Sequence, residues 1–282
     1  MKNLIISAAC GLGICLSASA AQVTLKVNNS ESINNKYQLQ LLKEALSRDP
    51  NNQYKIQSSP VDLNEGQMVN YIQSGEMDVM WGGTNNDYEQ AMQPIRIPLF
   101  KGLLGHRLFI IRKGEQHRFN GVDSMSALKD FKIGQGRQWA DTQVLQSAGL
   151  DVVTAMKYDG LFYMLEGGRF DAFPRGVHEP FAEVTARPEL NLTVEENLLL
   201  VYPLAAYFFV AKDNNKLAQV IESGLMEMID DGSFDQYFYQ NPMVAEALEN
   251  AQLANRTIFR IDNPNMPALT PYENEKLWFK VE

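Results

Sequence analysis

A strand–helix–strand alternation that occurs twice is the sequence feature that most limits the fold of this chain. Near the start, apolar residues alternate along a short segment and then recur at helical spacing until Asp49-Pro50 ends the pattern. The spacing predicts five elements in this unit: strand 22–27, helix 33–46, strand 54–57, helix 65–74 and strand 78–81. This order is typical of a mostly parallel sheet covered by helices.

The alternation restarts after Arg112-Lys113-Gly114 and runs to Phe173. Two long extended segments, His106–Arg112 and Leu198–Lys212, bracket this second unit. The pattern predicts an α/β protein of two lobes, each a mostly parallel sheet flanked by helices, joined by two hinge crossings. We expect lobe one to comprise residues 21–110 and 203–282, with 241–282 as a C-terminal extension, and lobe two to comprise 111–202.

The first twenty residues differ from the rest and predict a secretory signal peptide. Lys2 gives a short positive region, Leu4 to Leu16 form an uncharged and mostly apolar stretch, and Ala18-Ser19-Ala20 offers the small residues of a cleavage site. The apolar stretch is too short for a membrane span. We therefore expect cleavage near Ala20, a periplasmic location and no membrane insertion of the mature chain. Both cysteines, Cys10 and Cys15, lie inside this segment.

Composition excludes several classes of protein. Hydrophobic residues make up 45% and charged residues 21% of the chain, which are globular proportions. The net charge of -9 argues against nucleic acid as a partner, because neutralising phosphates requires a basic face. The same acidity argues against binding to an anionic membrane surface.

Four short motifs occur in a recognisable order. A Gly-x-x-Asp strand and its following loop occupy residues 75–84, and an entry into the second unit occupies 128–136. Gly168-Arg169-Phe170-Asp171-Ala172 forms a second strand motif, and Asp231-Gly232-Ser233-Phe234 forms a turn near the C-terminal helices. In order and spacing, most of residues 22–240 resembles the bacterial extracellular solute-binding proteins of family 3, which include periplasmic amino-acid receptors.

The resemblance implies a type II-like periplasmic binding protein fold that closes on a small-molecule solute between its lobes. It implies a monomer that delivers the solute to an inner-membrane permease of an ABC transporter. A ligand-sensing protein that reports to a membrane kinase or cyclase is an alternative, since it would close on its ligand in the same way. A lyase or dehydratase on the same fold is a further alternative.

One departure from the family pattern bears on the solute. Amino-acid receptors of the family hold the ligand carboxylate with an arginine in a G-x-[ST]-x-[ST]-x-x-R pattern, and aligning Gly82, Thr84 and Asn86 with it puts Glu89 at the arginine position. A carboxylate cannot supply bidentate guanidinium recognition. We therefore expect a small anionic or zwitterionic organic solute held by other residues.

Several arginines are candidates to replace the missing one. Arg96 and Arg107 flank an apolar segment between the two units, where an unpaired charge is costly, although a solvated hinge region also explains them. Arg137 lies in a strand-to-helix loop whose backbone N–H groups suit an anion. Arg175, between Pro174 and Gly176, is either a ligand contact or part of a salt bridge to Glu179 or Glu183.

Four further residues complete the predicted ligand site. Trp139 is expected either to stack on the solute or to belong to the interlobe core. Trp81, at the end of a lobe-one strand, is expected either to contact the ligand or to belong to the core. Thr84 and Asn85 are expected to add orienting hydrogen bonds.

No enzyme, cofactor or metal motif accompanies these residues. The Gly134-x-Gly136 loop has Trp139 where a dinucleotide fingerprint needs its third glycine, and the three histidines have no metal-ligand spacing. We therefore expect a binding protein without catalytic residues or cofactors. The tail, residues 241–282, is expected to pack back on lobe one as a strap, with a partner-docking site as the alternative.

Overall fold

The computed structural model describes residues 21–28, 35–61 and 63–280. The predicted signal peptide, residues 1–20, lies outside these described residues. Within the described ranges, no helix combines the length and apolar character needed to cross a membrane.

The first lobe is built on strands from both ends of the chain. Its strands are β1 (Ala21–Val27), β2 (Asn52–Ser58), β3 (Met80–Gly83), β4 (Met92–Ile95) and β11 (Ala206–Ala211). β1 pairs with β2 in parallel, and a parallel bridge joins Val27 to Val79 just before β3. β11 lies antiparallel between β3 and β4. The helices are α1 (Lys36–Leu46), α2 (Glu65–Ser74), α3 (Asn86–Ala91), α8 (Asn215–Asp230), α9 (Ser233–Gln240) and α10 (Pro242–Ala251).

The second lobe has a seven-stranded sheet. Its strands are β5 (His106–Arg112), β6 (Lys132–Gly136), β7 (Asp151–Ala155), β8 (Ala172–Gly176), β9 (Leu192–Val194), β10 (Leu198–Val201) and β12 (Thr257–Arg260). Across the sheet the order is β12, β10, β5, β8, β6 and β7, and β9 pairs with β5. Its helices are α4 (Met125–Leu128), α5 (Thr142–Ser147), α6 (Tyr158–Glu166) and α7 (Pro180–Thr185).

The strand directions follow from this connectivity. Every antiparallel pair in the described sheets involves β5 or β11, the strands that begin just after the chain changes lobe, and the remaining pairs are parallel. The predicted two-lobed α/β fold with sheets flanked by helices is thus confirmed, and both lobes combine parallel with antiparallel pairs. The division into separate domains stays a prediction.

Two crossing segments, residues 96–105 and 202–205, connect the lobes and lie side by side. The Tyr202 amide donates to the Gly105 carbonyl at 3.0 Å, and the Leu99 amide donates to the Ala206 carbonyl at 3.0 Å. The predicted single extended stretch from Leu198 to Lys212 is therefore two strands, because residues 202–205 leave one sheet before β11 enters the other.

The C-terminal extension differs from the expectation that residues 203–282 all belong to lobe one. β12 pairs in parallel with β10 and so adds the last strand to the second sheet. The chain then returns along the crossing segments, where Asn263 donates to the Pro203 carbonyl at 2.8 Å and the Phe279 amide donates to the Lys101 carbonyl at 2.6 Å. The tail thus forms a third connection between the lobes.

Local sequence explains the elements that border the cleft between the lobes. α2 begins with a capping box, in which Asn64 and Gln67 satisfy each other's backbone amides, and ends at Gly75 in the left-handed conformation. α3 begins at the cap Asn85, whose side chain accepts from the Tyr88 amide at 2.7 Å. These caps fix the helix starts that face the second lobe.

Candidate functional site

A groove of about 350 Å³ lies between the lobes. Lobe one contributes the start of α2, the cap Asn85 and one face of α3, and lobe two contributes the loop between β6 and α5 with the first residues of α5. The lining residues are Gly66, Val69, Asn85, Asp87, Tyr88, Ala91, Arg137, Gln138, Trp139, Ala140, Thr142 and Gln143.

The lobe-two loop is held in place by its own backbone and by one hydroxyl. The Arg137 amide donates to the Ala155 carbonyl at 2.9 Å, and Thr142 Oγ1 donates to the Gly136 carbonyl at 2.6 Å. These bonds tie the loop to β7 and to the end of β6. The side chains of Arg137, Gln138 and Trp139 are therefore presented by a fixed backbone.

The two lobes touch beside the groove. Tyr88 Oη lies 2.9 Å from Glu65 Oε2 in its own lobe and 2.8 Å from the Gln138 carbonyl oxygen of lobe two. A Cβ atom on Gly83 would lie 3.3 Å from the Ala140 Cβ, and one on Gly66 would overlap the Gln138 side chain. A larger residue at Gly83 would therefore press on lobe two, whereas one at Gly66 would displace the flexible end of the Gln138 side chain.

Beneath the groove, lobe two contains a buried cluster of charges. Arg175 donates through Nε to Glu183 Oε2 at 2.8 Å and through Nη2 to Glu179 Oε1 at 2.8 Å. Arg107 Nη2 donates to Asp141 Oδ2 at 2.5 Å, and its Nη1 lies 3.7 Å from Glu179 Oε2. Two guanidinium groups are thus shared among three carboxylates. These five residues form the ion cluster.

Burial and mutual charge shift the pKa values in and around the ion cluster. Burial alone would lower the pKa of Arg175, but Glu179 and Glu183 raise it well above its ordinary value. Burial raises the pKa of Glu179 despite the attraction of Arg175. Burial, Arg107 and Arg175 lower the pKa of His178 well below its usual range, so this imidazole stays neutral.

Glu65 faces the ion cluster from lobe one. Burial raises the pKa of Glu65 to about 8, with Asp141 and Glu179 adding to the rise and Tyr88 and Arg175 opposing it. Burial, together with the neighbouring Glu65, also raises the pKa of Tyr88, so its hydroxyl stays protonated.

Three of the predicted ligand-binding residues line the groove: Asn85, Arg137 and Trp139. Trp139 borders the groove, and within lobe two its ring stacks on Phe173 at 6.0 Å and lies 4.8 Å from the Arg175 guanidinium. Stacking of Trp139 on a solute stays a prediction. Arg137 is exposed.

The other predicted residues lie outside the groove lining. Trp81 is buried in the lobe-one core, where Nε1 donates to Asn35 Oδ1 at 2.9 Å. Thr84 is buried and donates to Glu89 Oε1 at 2.9 Å, and Arg96 forms an ion pair with the same Glu89. The carboxylate at the family's arginine position is thus bound by an arginine of its own lobe.

Arg107 and Arg175 lie in the ion cluster. For Arg175 the structure shows both salt bridges that the sequence analysis gave as the alternative to a ligand contact. Arg107 is paired with Asp141, which follows it by 34 residues and occupies the position before α5.

Sequence reasoning missed the residues that join the lobes. Tyr88 and Asp87 belong to α3, a six-residue helix whose apolar pattern is too short to be recognised. Asn85 is the residue from which α3 could have been predicted, since asparagine is a preferred capping residue at a helix start. Nothing in the sequence around Glu65 indicates that its side chain faces the other lobe.

Within residues 21–28, 35–61 and 63–280, no group of three or more histidine, aspartate or glutamate side chains is arranged to hold a metal ion. The polar groups at the groove are instead suited to an organic molecule with charged ends, since they combine a guanidinium, a carboxylate, amides and two aromatic rings.

Several solved structures with the same fold are described as amino-acid binding or amino-acid transport proteins. An ancestral arginine-binding protein bound to arginine matches with a TM-score of 0.58 and 20% identity, over 77% of this chain and 97% of that protein. A putative L-cystine ABC transporter protein from Listeria monocytogenes matches with a TM-score of 0.56 and 16% identity, over 80% and 98%. The substrate-binding protein AbpA of Streptococcus pneumoniae, bound to L-arginine, matches with a TM-score of 0.56 and 13% identity, over 82% and 96%.

No protein-family profile matches the chain, and neither does any curated protein sequence. At these identities the structural matches establish the fold. The resemblance predicted from the four motifs is therefore confirmed at the level of fold: this chain has the two-lobed architecture of amino-acid ABC transporter substrate-binding proteins.

Proposed function

We propose that this protein binds a small zwitterionic organic solute, of the amino-acid class, in the groove between its lobes. The observation that carries the proposal is that the groove presents opposite charges from opposite lobes, Asp87 from lobe one and Arg137 from lobe two. A solute with an ammonium and a carboxylate group would bridge them and so favour contact between the lobes.

The state of the other arginines favours a zwitterion over a purely anionic solute. Arg96, Arg107 and Arg175 are each ion-paired with carboxylates of the protein. A dianion would have to compete with those carboxylates or gather at Arg137 alone. A zwitterion brings its own positive charge and needs only one cationic partner.

The size and apolar lining of the groove agree with such a solute. A volume of about 350 Å³ lies at the lower end of the range for small-molecule sites, roughly 300–1,000 Å³. Tyr88 and Trp139 offer aromatic surfaces from the two lobes, and Asn85 and Gln143 offer amide groups. The groove thus has room for one side chain of moderate size beside the charged ends.

The proposal is tested by thermal unfolding of the refolded, ligand-free protein with a panel of amino acids, dicarboxylates, aromatic acids, short peptides and phosphorylated compounds. A solute at 100 times its dissociation constant stabilises the folded state by about 2.7 kcal/mol, because it binds that state alone. We expect a selective shift with one or a few zwitterionic amino acids. A shift with dicarboxylates alone, or with no compound, would contradict the proposal.

Matched variants identify the groove as the site. Arg137→Gln and Asp87→Asn should each weaken binding at least tenfold in calorimetry, since each removes the partner of one charged end. Arg169→Gln, an exposed arginine elsewhere on lobe two, should leave the affinity unchanged. Equal affinities in all three variants would place the solute elsewhere.

We infer a periplasmic location and delivery to an inner-membrane permease from the predicted signal peptide and from the matched structures, several of which are named as ABC transporter components. A sensor protein with the same two-lobed fold would bind the solute without supporting its uptake. Deletion of the gene followed by a radiolabelled uptake assay separates the two functions, and recovery of the solute unchanged separates both from an enzyme.

A further inference from the structure

A hydrogen-bond chain joins the two lobes beside the groove. Tyr88 Oη lies within hydrogen-bond distance of Glu65 Oε2, at 2.9 Å, and of the Gln138 carbonyl oxygen, at 2.8 Å. A tyrosine hydroxyl has a single hydrogen, and a carbonyl oxygen can only accept. If the hydroxyl donates to Gln138, the bond to Glu65 requires a hydrogen on the Glu65 carboxyl.

When Glu65 is ionised, the hydrogen-bond chain between the lobes is broken. If Glu65 is ionised, it can only accept, so the Tyr88 hydrogen turns toward Glu65. The Tyr88 and Gln138 oxygens then face each other at 2.8 Å with no hydrogen between them. The favourable contact between the lobes becomes a repulsive one.

Most of the charges around Glu65 also disfavour its ionised form. Lobe two directs Asp141 from the start of α5, Glu179 from the start of α7 and Arg175 from β8 toward Glu65, while Asp87 lies beside Tyr88 on α3. Arg175 attracts an ionised Glu65, but it is already paired with Glu179 and Glu183. Ionisation of Glu65 therefore adds a negative charge opposite a cluster that already contains more carboxylates than guanidiniums.

We propose that Glu65 is a proton-dependent latch between the lobes. In the protonated state the carboxyl donates to Tyr88 Oη, and Tyr88 donates to the Gln138 carbonyl of lobe two. Loss of the proton breaks this chain and favours separation of the lobes. The latch rests on the proposed closure of the lobes, but it requires no solute.

The sign of the pH dependence follows from where the proton is held more tightly. The pKa of Glu65 is raised from its ordinary 4.5 to about 8 with the lobes in contact. An exposed carboxyl in separated lobes has the ordinary value, so closure takes up a proton. The closure equilibrium should therefore weaken as the pH rises from about 4.5 to about 8, by up to about tenfold per pH unit.

Distances between spin labels on the two lobes measure closure directly. The only cysteines, Cys10 and Cys15, lie in the predicted signal peptide, so the exported protein can be labelled at Gln73→Cys and Ser147→Cys, two exposed positions on different lobes. We expect the short-distance population to dominate at pH 5 and to shrink toward pH 9. An identical distribution at pH 5 and pH 9 would overturn the proposal.

Three variants locate the effect at the latch. Glu65→Gln keeps a donor that cannot ionise, so the short-distance population should no longer depend on pH. Tyr88→Phe should reduce that population already at pH 5, because the bridging hydroxyl is gone. Glu76→Gln, an exposed carboxylate of lobe one, should follow the parent protein. Retention of the parent pH dependence in Glu65→Gln would overturn the proposal.

The same samples distinguish failure of the latch from failure of the proposed function. A pH-dependent distance with no response to any solute would support the latch and contradict solute binding. Solute binding with a distance that does not depend on pH would contradict the latch and support the proposed function.

Discussion

Replacement of Arg175 by alanine tests whether the ion cluster stabilises the second lobe. The Arg175 side chain is 6% exposed and the Glu183 side chain 0%, so neither charge is screened by water. Arg175→Ala leaves Glu183 and Glu179 with less positive charge to balance them. Removing one partner of a buried ion pair costs about 3–5 kcal/mol, since the remaining charge stays buried without compensation.

Part of the loss comes from packing. The Arg175 guanidinium lies over three aromatic rings, at 4.8 Å from the centre of Trp139, 5.1 Å from Phe173 and 5.5 Å from Tyr158. Cation–π contacts of buried guanidiniums are worth up to about 2 kcal/mol. Arg175→Ala removes these contacts together with the ion pairs, so we expect the free energy of unfolding to fall by an amount near the upper end of the range for the ion pair.

Denaturant unfolding monitored by tryptophan fluorescence gives the free energy of unfolding for each variant. The double variant Arg175→Met, Glu183→Gln removes both charges while keeping the volume. The amide introduced at position 183 can still accept from Tyr158, which donates to Glu183 at 2.6 Å in the parent protein. We expect the double variant to regain most of the stability that Arg175→Ala loses. Arg169→Ala, at an exposed position, should stay within about 0.5 kcal/mol of the parent.

The reasoning would be refuted if Arg175→Ala unfolds within about 1 kcal/mol of the parent while solute affinity falls more than tenfold. That result would make Arg175 a ligand contact and not a structural residue. A double variant no more stable than Arg175→Ala would show that packing, and not charge balance, explains the loss.

Two further predictions concern packing in lobe one and the tail. Gly224→Ala adds a Cβ that would overlap the Ala45 carbonyl oxygen, so α8 must move away from α1. The free energy of unfolding should therefore fall by about 1–3 kcal/mol, despite the higher helix propensity of alanine. An increase in that free energy would mean that the helices adjust freely. Trp278→Ala removes a half-buried ring that packs where a Gly102 side chain would lie and whose Nε1 donates to the Pro271 carbonyl at 2.9 Å. We expect a loss of about 2 kcal/mol, less than for a fully buried aromatic residue, and an unchanged unfolding midpoint would show that the tail end does not stabilise the fold.

The sequence was sufficient for the order of elements but not for the pairing of distant ones. Apolar periodicity predicts a helix over 65–74, and the structure has α2 at Glu65–Ser74. The strand predicted over 78–81 is found as β3 at Met80–Gly83, two residues later, because Val79 pairs only through a single bridge to Val27. β12 was not predicted at all, since four residues in a polar tail carry no pattern and the strand exists only through its pairing with β10.

The candidate site shows the same limit. The loop after β6 follows from the general rule that ligands bind at the carboxyl ends of strands, and it does line the groove. The partners of the arginines do not follow from any rule. Arg107 and Asp141 meet across two elements, and a formal charge in the sequence does not reveal whether the folded protein has already neutralised it.

β12 also protects an edge. Residues 198–201, Leu-Leu-Leu-Val, form an apolar strand that pairs with β5 on one side, and on the other side residues 257–260 are its cover. Unpaired apolar edge strands recruit other chains into intermolecular sheets. Because synthesis proceeds from the N-terminus, this edge stays open until residues 257–260 are available. We therefore expect chains that lack residues 257–260, whether nascent or truncated, to aggregate more readily than the folded protein.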